Sequence, residues 1–343
     1  MNFYNILRLW AGRIPRPLKF LGLWYMHVSG RRMIGVYLDP VLGCNLRCRM
    51  CYFSDSEKRR QLHGSMTGEQ LGHCADALFH RALKLQIGCG AEPTLYKRLD
   101  EVIRRGKESG IPYVSLTTNG MLIVSGKTAL DTLVKSGLDE LTLSMHGTSR
   151  SIYEELMPGA DYDSLLKLLN IIAEIKQTYP SFKVRVNFTV NSLNKDDLRD
   201  NRFLGIWQDG CLPDIVQIRP VQNIGDSEWR DFDLTTIVED YDATVGNVVE
   251  RCRQAGITCI APTRDNLLEV ATPQDGYDSL LESVCYCYVS PTHCYKNDFD
   301  SVSDSYESYH RRRHTAAVLL GAVFRNPGSK KRNVSKKLNY KIK

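Results

Sequence analysis

The sequence has no long apolar run, no export signal and no acidic residue near either end. No stretch approaches the roughly 20 apolar residues that a membrane-spanning helix needs. The first apolar segment is interrupted by Arg8, Arg13, Arg16 and Lys19, which does not fit a signal peptide. These absences predict a soluble, cytoplasmic protein without a transmembrane segment. The 343 residues can form one large domain and a smaller module.

Acidic residues are confined to the middle of the chain. Residues 1–32 contain six Lys and Arg and residues 311–343 contain eleven, with no Asp or Glu in either segment, whereas residues 33–310 hold 28 basic and 39 acidic residues. Basic ends can contact nucleic acid or an anionic lipid surface. Because the tail has few aromatic residues for base stacking, a solvated tail is expected and nucleic acid is not expected as a partner. The apolar residues before Pro15 are expected to pack on the body of the protein.

Short β-rich runs alternate with segments of helical spacing from residue 33 onwards. The predicted strands are Ile34–Leu38, Ala82–Ile87, Tyr113–Leu116, Glu140–Met145, Lys183–Val190 and Ile215–Ile218, with Thr258–Ile260 as a further short strand. The predicted helices are Thr67–Arg81, Leu99–Glu108, Lys127–Lys135, Tyr162–Thr178 and Thr235–Ala255. This alternation is typical of parallel βα units, in either an open doubly wound sheet or a curved, incomplete (β/α) barrel.

Segments that contain polar residues, and in several cases glycine, follow each of the first six predicted strands. They are the cysteine loop, Gly88–Pro93, Thr117–Gly120, Ser144–Gly147, Asn187–Asn191 and Arg219. In both architectures the carboxyl ends of the strands meet at one rim, where binding and catalysis collect. The sequence therefore predicts a functional rim.

Eleven cysteines stand out against these absences, and three of them lie within eight residues of each other. In a reducing cytosol, thiols serve as metal ligands or as small buried residues rather than as disulfides. Cys44, Cys48 and Cys51 can hold three corners of an iron–sulfur cube, which leaves one iron open to a substrate or cofactor. Zinc is the alternative, but it prefers four ligands in paired sets, and no equally clean second pair lies nearby. Cys74, Cys89 and Cys211 are expected to be buried apolar residues.

The residues after the first two strands carry a family resemblance. Cys44-Asn-Leu-Arg-Cys-Arg-Met-Cys-Tyr52 resembles the cluster-binding motif of the radical S-adenosylmethionine (SAM) superfamily. Gly90-Ala91-Glu92-Pro93 is similar to that family's Gly-Gly-Glu-Pro motif, with alanine in place of the second glycine. The segment from His146 resembles the fourth strand–helix unit of the SPASM/twitch and molybdenum-cofactor-biosynthesis-like branch. The resemblance covers approximately residues 33–225.

The resemblance implies a fold, two cofactors and an enzymatic activity. The fold is a partial (β/α)6 TIM-type barrel with a small C-terminal cysteine-containing extension. Cys44, Cys48 and Cys51 would ligate a 4Fe–4S cluster, and SAM would chelate the open iron. Reduction of the cluster by a donor such as flavodoxin or ferredoxin would cleave SAM to methionine and a 5′-deoxyadenosyl radical. That radical would abstract hydrogen from a peptide, a cofactor precursor or another small organic substrate.

The resemblance also implies which residues contact SAM. Backbone near Tyr52 would touch the adenine, and Gly90, Ala91 and Glu92 would face the amino group. Thr118, Asn119, Ser144 and Asn187 lie where the family places hydrogen bonds to the SAM carboxylate and ribose. Each also suits a helix or turn cap. No residue is nominated as a catalytic acid, base or radical relay.

A second cysteine group comprises Cys285, Cys287 and Cys294. In related enzymes a C-terminal cysteine-rich (SPASM) module holds auxiliary clusters, and this stretch shows at best a reduced version. An auxiliary cluster and a non-metal role both stay open. The expected division is a basic N-terminal segment 1–32, a core domain 33–225, a C-terminal extension 226–310 and a basic tail 311–343. A zinc-stabilised nucleic-acid-binding protein and a non-catalytic SAM-binding cluster protein are the alternative functions.

Overall fold

A computed structural model describes residues 14–207, 211–221, 227, 229, 233–269 and 279–324. Residues 1–13 of the basic N-terminal segment and residues 325–343 of the basic tail lie outside the described residues. Within the described parts, no helix combines the length and the apolar composition needed to cross a bilayer.

The described chain contains nine strands and fifteen α-helices. The strands are β1 (Ile34–Leu38), β2 (Ala82–Ile87), β3 (Val114–Thr118), β4 (Glu140–Ser144), β5 (Lys183–Val190), β6 (Ile215–Pro220), β7 (Thr258–Ile260), β8 (Tyr286–Ser290) and β9 (His293–Tyr295). The helices are α1 (Arg16–Val28), α2 (Ser56–Gln61), α3 (Gly68–Leu78), α4 (Leu99–Glu108), α5 (Met121–Val124), α6 (Leu130–Lys135), α7 (Arg150–Leu156), α8 (Tyr162–Thr178), α9 (Arg202–Gly205), α10 (Thr235–Glu239), α11 (Asn247–Gln254), α12 (Arg264–Glu269), α13 (Ser279–Cys285), α14 (Tyr306–Arg312) and α15 (Thr315–Phe324). Short 3₁₀ turns lie at Tyr52–Ser54, Phe79–Arg81, Pro93–Leu95 and Lys195–Leu198.

All nine strands belong to one sheet, in the order β7-β6-β5-β4-β3-β2-β1-β8-β9. Seven neighbouring pairs are parallel, and β9 alone runs antiparallel to its neighbour β8. The sheet is not closed by pairing between its first and last strands in the described residues. The predicted parallel arrangement is therefore confirmed, and the carboxyl ends of β1 to β6 share one rim.

Half of the twelve predicted elements have the expected bounds, and two of the helices differ most. The strands Ile34–Leu38, Ala82–Ile87, Lys183–Val190 and Thr258–Ile260 and the helices Leu99–Glu108 and Tyr162–Thr178 are confirmed. The helix predicted from Lys127 begins at Leu130, because the backbone N–H of Thr128 bonds back to Leu122 and closes a turn first. The helix predicted over Thr235–Ala255 is interrupted by a π-turn at Asp242–Gly246, where the Gly246 N–H bonds to the Tyr241 carbonyl at 2.7 Å.

The C-terminal extension joins the sheet of the core instead of forming a separate sheet. Strand β8 pairs in parallel with β1, so that Val36 lies opposite Cys287 and Leu38 lies opposite Val289. The sequence did not predict β8 or β9, because their short cysteine- and tyrosine-rich runs lack a clear apolar alternation. The division into domains at residues 225 and 310 stays a prediction.

The two faces of the sheet differ in polarity. In β1, Ile34, Val36 and Leu38 are fully buried on one face, where apolar helix residues such as Leu168 and Ile172 of α8 add to the core. Alternation along a strand places residues 35 and 37 on the opposite face. That inner face carries polar side chains, since Gln86 accepts a hydrogen bond from Ser115 at 2.8 Å and donates one to Thr117 at 2.9 Å.

A buried ion pair crosses the inner face between β4 and β5. The Arg185 guanidinium donates to both carboxylate oxygens of Glu140, from Nε at 2.8 Å and from Nη2 at 2.9 Å. Tyr113 also donates its hydroxyl to Glu140. Burial would raise the pKa of Glu140, but the hydrogen bonds and charge of Arg185 lower it overall. Such a bidentate pair can be buried because each charge is matched by hydrogen bonds.

Candidate cofactor site at the strand ends

The cysteine loop follows β1 and is held by backbone hydrogen bonds on two sides. The Glu92 N–H donates to the Gly43 carbonyl at 2.8 Å, which ties the loop to the end of β2. The N–H groups of Arg47 and Arg49 donate to the carbonyls of Pro158 and Leu156 at 2.9 and 3.0 Å. These hydrogen bonds fix the path of the loop across the rim.

The three thiols of the loop are half-buried and close enough to influence one another. Burial raises the pKa of Cys44 to about 12 and that of Cys48 well above its ordinary value. Thiolate charge on Cys51 and Cys44 would raise the pKa of Cys48 further. Burial also raises the pKa of Cys51. Buried thiols of this kind lose their protons when a metal binds them. Their grouping fits the three-cysteine set of an iron–sulfur cube.

The described residues contain no group of three or more His, Cys, Asp or Glu side chains arranged round a single metal ion. A cube differs from a single ion in this respect, because its ligands attach to separate iron corners.

The backbone at Gly88 and at Gly90 approaches its neighbours too closely for a side chain at either position. A Cβ atom at Gly88 would lie 2.4 Å from the Thr117 carbonyl oxygen, and the residue has φ +78°. A Cβ atom at Gly90 would lie 2.4 Å from the Tyr52 hydroxyl oxygen. Glycine at these two positions therefore lets the second motif pack against β3 and the cysteine loop.

A buried aspartate that sequence reasoning missed holds this motif in place. Asp39 accepts hydrogen bonds from the Cys89 N–H at 2.6 Å and the Gly90 N–H at 3.1 Å. Its carboxylate also accepts the Tyr288 hydroxyl at 2.8 Å. Tyr52 donates its hydroxyl to the Gly90 carbonyl. The C-terminal strand β8 thereby reaches the rim, a link that spacing along the chain could not reveal.

The Glu92 carboxylate, which is expected to face the SAM amino group, is held by hydrogen bonds within the protein, and the expected contact stays a prediction. Its carboxylate is buried and accepts four hydrogen bonds, from the Thr94 N–H and hydroxyl, the Thr118 hydroxyl and the Asn119 N–H, at 2.5 to 3.1 Å. Burial raises the pKa of Glu92, and these donors oppose the shift. Four donors use about all the acceptor sites of a carboxylate. The Glu92 carboxylate therefore positions the end of β3.

Thr118 and Asn119 are likewise engaged within the protein. The Thr118 hydroxyl accepts the Gly120 N–H at 2.9 Å while it donates to Glu92. Asn119 accepts the Met121 N–H at 3.0 Å and donates to the Asn45 side chain in the cysteine loop at 2.9 Å. Both side chains thus form the turn after β3, and Asn119 links that turn to the loop.

Ser144 and Asn187 lie side by side at the ends of β4 and β5, where the strand register pairs them. The Asn187 Oδ1 atom is buried and has no hydrogen-bond partner among the residues that the structure describes. Because buried polar atoms are rarely left unpaired, this oxygen indicates a place where a bound group supplies the missing donor.

His146 and Arg219 complete the rim, and sequence reasoning gave neither a specific role. The His146 Nδ1 atom accepts the Thr189 N–H at 3.0 Å, so the neutral ring carries its proton on Nε2. Burial and the nearby Arg219 charge lower the pKa of His146 to about 4. The ring is therefore neutral near pH 7 and presents one N–H donor. Its location after β4, in a Met-His-Gly run, was the only signal in the sequence.

The second cysteine group lies behind the sheet, away from the cysteine loop. Cys287 is fully buried on the same face as Val36, opposite to the face of Tyr288. The Cys294 sulfur lies 3.2 Å from the Cys74 sulfur on α3. An auxiliary cluster there stays a prediction, and Cys74 would lie next to it. Cys74 and Cys211 are buried as expected, whereas Cys89 is exposed.

Gly90→Ala is expected to lower the free energy of unfolding by about 1–3 kcal/mol, the usual cost of overpacking. The new methyl group would overlap the Tyr52 hydroxyl. Urea denaturation measures the effect, and Tyr52→Phe in the same chain should restore most of the loss because it removes the overlapping oxygen. Equal stabilities of Gly90→Ala and the wild-type protein would contradict the close packing.

Comparisons with known proteins agree on one family. Residues 39–200 match the family model of the radical SAM superfamily. A relative from Saccharolobus solfataricus, described as a probable GTP 3′,8-cyclase, is 25% identical over 214 residues, which are 62% of this chain and 65% of that protein. A relative of the same description from Metallosphaera sedula is 27% identical over 190 residues, 54% of this chain and 51% of its own. The matches thus span less than two thirds of these relatives.

Two solved structures with the same fold are those of SuiB from Streptococcus suis. The structure bound to S-adenosylmethionine has a TM-score of 0.58 at 17% identity and covers 87% of this chain and 70% of its own. The structure bound to the precursor peptide SuiA has a TM-score of 0.60 at 14% identity and covers 91% and 72%. The likeness confirms the partial, open TIM-type barrel.

Proposed function

We propose that this chain, a member of the radical SAM superfamily by its match to that family model, binds a 4Fe–4S cluster through Cys44, Cys48 and Cys51 and SAM along the adjoining rim. The family is one of enzymes that use these two cofactors. The single observation that carries the proposal is the cysteine loop, whose three thiols gather at the carboxyl end of β1 and whose backbone is fixed to Glu92 and to the end of α7.

The cofactors supply the radical chemistry when bound: reductive cleavage of SAM and abstraction of a hydrogen atom from the substrate. The residues of this chain bind and orient them. Asp39, Tyr52 and Tyr288 fix the backbone from Cys89 to Gly90, next to the cysteine loop. Backbone groups of this segment and of Tyr52 are the proposed contacts for the SAM amino group and adenine.

The polar ends of β3 to β5 are the proposed contacts for the rest of SAM. Glu92 holds the Thr118–Asn119 turn in one conformation, so that turn forms a rigid wall of the site. Ser144 and Asn187 are the proposed hydrogen-bond partners of the ribose or carboxylate. The Asn187 oxygen has no partner among the described residues, and we propose that it accepts a hydrogen bond from a hydroxyl group such as that of the ribose.

The substrate is proposed to be a peptide, a cofactor precursor or another small organic molecule, and the electron donor a flavodoxin or ferredoxin. Support comes from relatives described as GTP 3′,8-cyclases and from a structural neighbour solved with a precursor peptide. His146 and Arg219 are proposed to face this substrate, as a neutral N–H donor and a cation.

Anaerobic reconstitution of the full chain with iron and sulfide tests the proposal. We expect a brown protein with broad absorbance, and 5′-deoxyadenosine when SAM and dithionite are added. A colourless, zinc-containing protein would instead favour the zinc alternative, and a cluster that never cleaves SAM would favour the non-catalytic one. GTP and peptide fractions, added separately, should distinguish the substrate classes by stimulating turnover.

Asn187→Ala is expected to weaken SAM binding to the reconstituted protein about tenfold, the effect of one hydrogen bond of about 1.4 kcal/mol. The stability of the cofactor-free protein should not fall, because the Asn187 oxygen has no partner to lose. Equilibrium dialysis and thermal unfolding measure the two quantities.

Asn194→Ala is the matched control for this prediction. Its side chain donates to the carbonyls of His146 and Thr189, both at 2.9 Å, so its loss should lower stability. Asn187→Ala protein that melts earlier but binds SAM normally would show a structural role for Asn187 and contradict the assignment.

A further inference from the structure

Helix α1 keeps an apolar stripe exposed on the side that faces away from the core. Its inward side chains Phe20 and Leu23 are buried. Its outward side chains, spaced three or four residues apart, are also apolar: Leu18, Leu21, Tyr25 and Val28, with Leu18 57% exposed. Residues at that spacing form one continuous helix face, which in an ordinary surface helix is polar.

Helix α15 packs against α1 and is also apolar on its exposed side. Its sequence, Thr-Ala-Ala-Val-Leu-Leu-Gly-Ala-Val-Phe, contains no charged residue. Leu319 and Ala322 are buried, whereas Val318, Leu320 and Phe324 are exposed, with Phe324 82% exposed. Two neighbouring helices thus present large apolar side chains to the outside, a feature that marks an interaction surface.

The two basic ends of the chain leave from the same corner of this helix pair. The Arg16 guanidinium, at the start of α1, donates to the Ala322 carbonyl near the end of α15 at 2.8 Å. The segment before α1 and the segment after α15 therefore begin next to each other. Residues 1–32 and 311–343 together hold no acidic residue, and the tail beyond Phe324 contains eight Lys and Arg.

We propose that the exposed face of α1 and α15, which we call the α1/α15 face, docks on an anionic lipid bilayer. Apolar side chains beside Lys and Arg are the combination that holds a protein at a charged membrane surface. The acidic body of the chain would be repelled from the same lipids, which orients the molecule. A second copy of the chain fits the face less well, because its basic ends would repel those of the first. A nucleic acid also fits less well, because its phosphates are bound by Lys and Arg and not by aliphatic side chains.

The Val28 end of α1 lies away from the cofactor rim. Arg81, which directly precedes β2, donates to the carbonyls of Met26 and His27 at 3.1 and 3.2 Å. The end of α1 therefore lies at the amino ends of the strands, whereas the rim lies at their carboxyl ends.

Vesicle flotation of the full chain tests the proposal. We expect the protein to float with phosphatidylcholine vesicles that contain phosphatidylglycerol, and to bind pure phosphatidylcholine or vesicles in high salt far more weakly. Leu18→Gln with Leu21→Gln should reduce binding to the anionic vesicles roughly tenfold or more, because two exposed leucines no longer enter the bilayer. The control pair Leu166→Gln with Val302→Gln changes exposed apolar residues elsewhere and should bind normally.

Three outcomes would overturn the proposal. The first is no binding to anionic vesicles by folded wild-type protein. The second is binding that the Leu18 and Leu21 substitutions leave unchanged while the helical circular dichroism is intact. The third is a concentration-dependent dimer, or a nucleic-acid complex, that those substitutions abolish, since either would identify a different occupant of the α1/α15 face.

Discussion

Cys48→Ala is expected to abolish both the iron–sulfur absorbance and the formation of 5′-deoxyadenosine. With two cysteines left in the loop, a cube would have two irons without protein ligands instead of one. The loop contains three cysteines and no fourth, so no other thiol in the loop can replace Cys48. Anaerobic reconstitution, iron and sulfide analysis and a chromatographic assay for 5′-deoxyadenosine measure the result.

Cys211→Ala is the matched control, because Cys211 is a buried cysteine in the loop before β6 and lies outside the proposed site. It should keep the full iron content and SAM cleavage. Should Cys48→Ala retain both while the wild-type protein shows them too, the cluster would have to be held elsewhere. The second cysteine group would then be the next place to test, by replacing Cys287 or Cys294.

Glu140→Gln is expected to lower the free energy of unfolding by about 3–5 kcal/mol, since it leaves the buried Arg185 charge without its partner. The carboxylate side chain is about 1% exposed and accepts two hydrogen bonds from Arg185. Urea denaturation of the cofactor-free protein measures the loss.

A second substitution distinguishes a lost ion pair from general damage. Arg185→Met added to Glu140→Gln should recover most of the loss, because it removes the unpaired charge. Glu108→Gln is the exposed counterpart, in an ion pair with Arg104, and should cost less than about 0.5 kcal/mol. Failure of the double variant to regain stability would show that the charge of Arg185 is not the cause.

Acid should remove the same contribution from the wild-type protein. The pKa of Glu140 is lower in the folded chain than its ordinary value of 4.5. The ion pair therefore stabilises the fold above that range, and its contribution is lost as the pH falls through the lowered pKa.

The sequence predicted an element correctly where the pattern of its own residues was sufficient, and failed where the element depends on distant residues. Strand β5 alternates apolar and polar residues over its whole length and was predicted at its true bounds. The π-turn between α10 and α11 was missed, because an extra residue in one helical turn leaves the apolar spacing almost unchanged. Strand β8 was missed because its partner β1 lies about 250 residues earlier in the chain, and β9 was missed because it pairs only with β8 in the described residues.

The sequence by itself determined the family resemblance, the parallel strand–helix order and the three cysteines that are expected to hold a cluster. Those features reside in short stretches, where spacing and side-chain chemistry are enough. Tertiary structure alone decided that Glu92 positions β3, that Tyr288 reaches the rim through Asp39 and that the second cysteine group lies behind the sheet. Each of these depends on which face of a strand a side chain occupies and on which distant strand lies beside it, and neither is encoded in the spacing of a single segment.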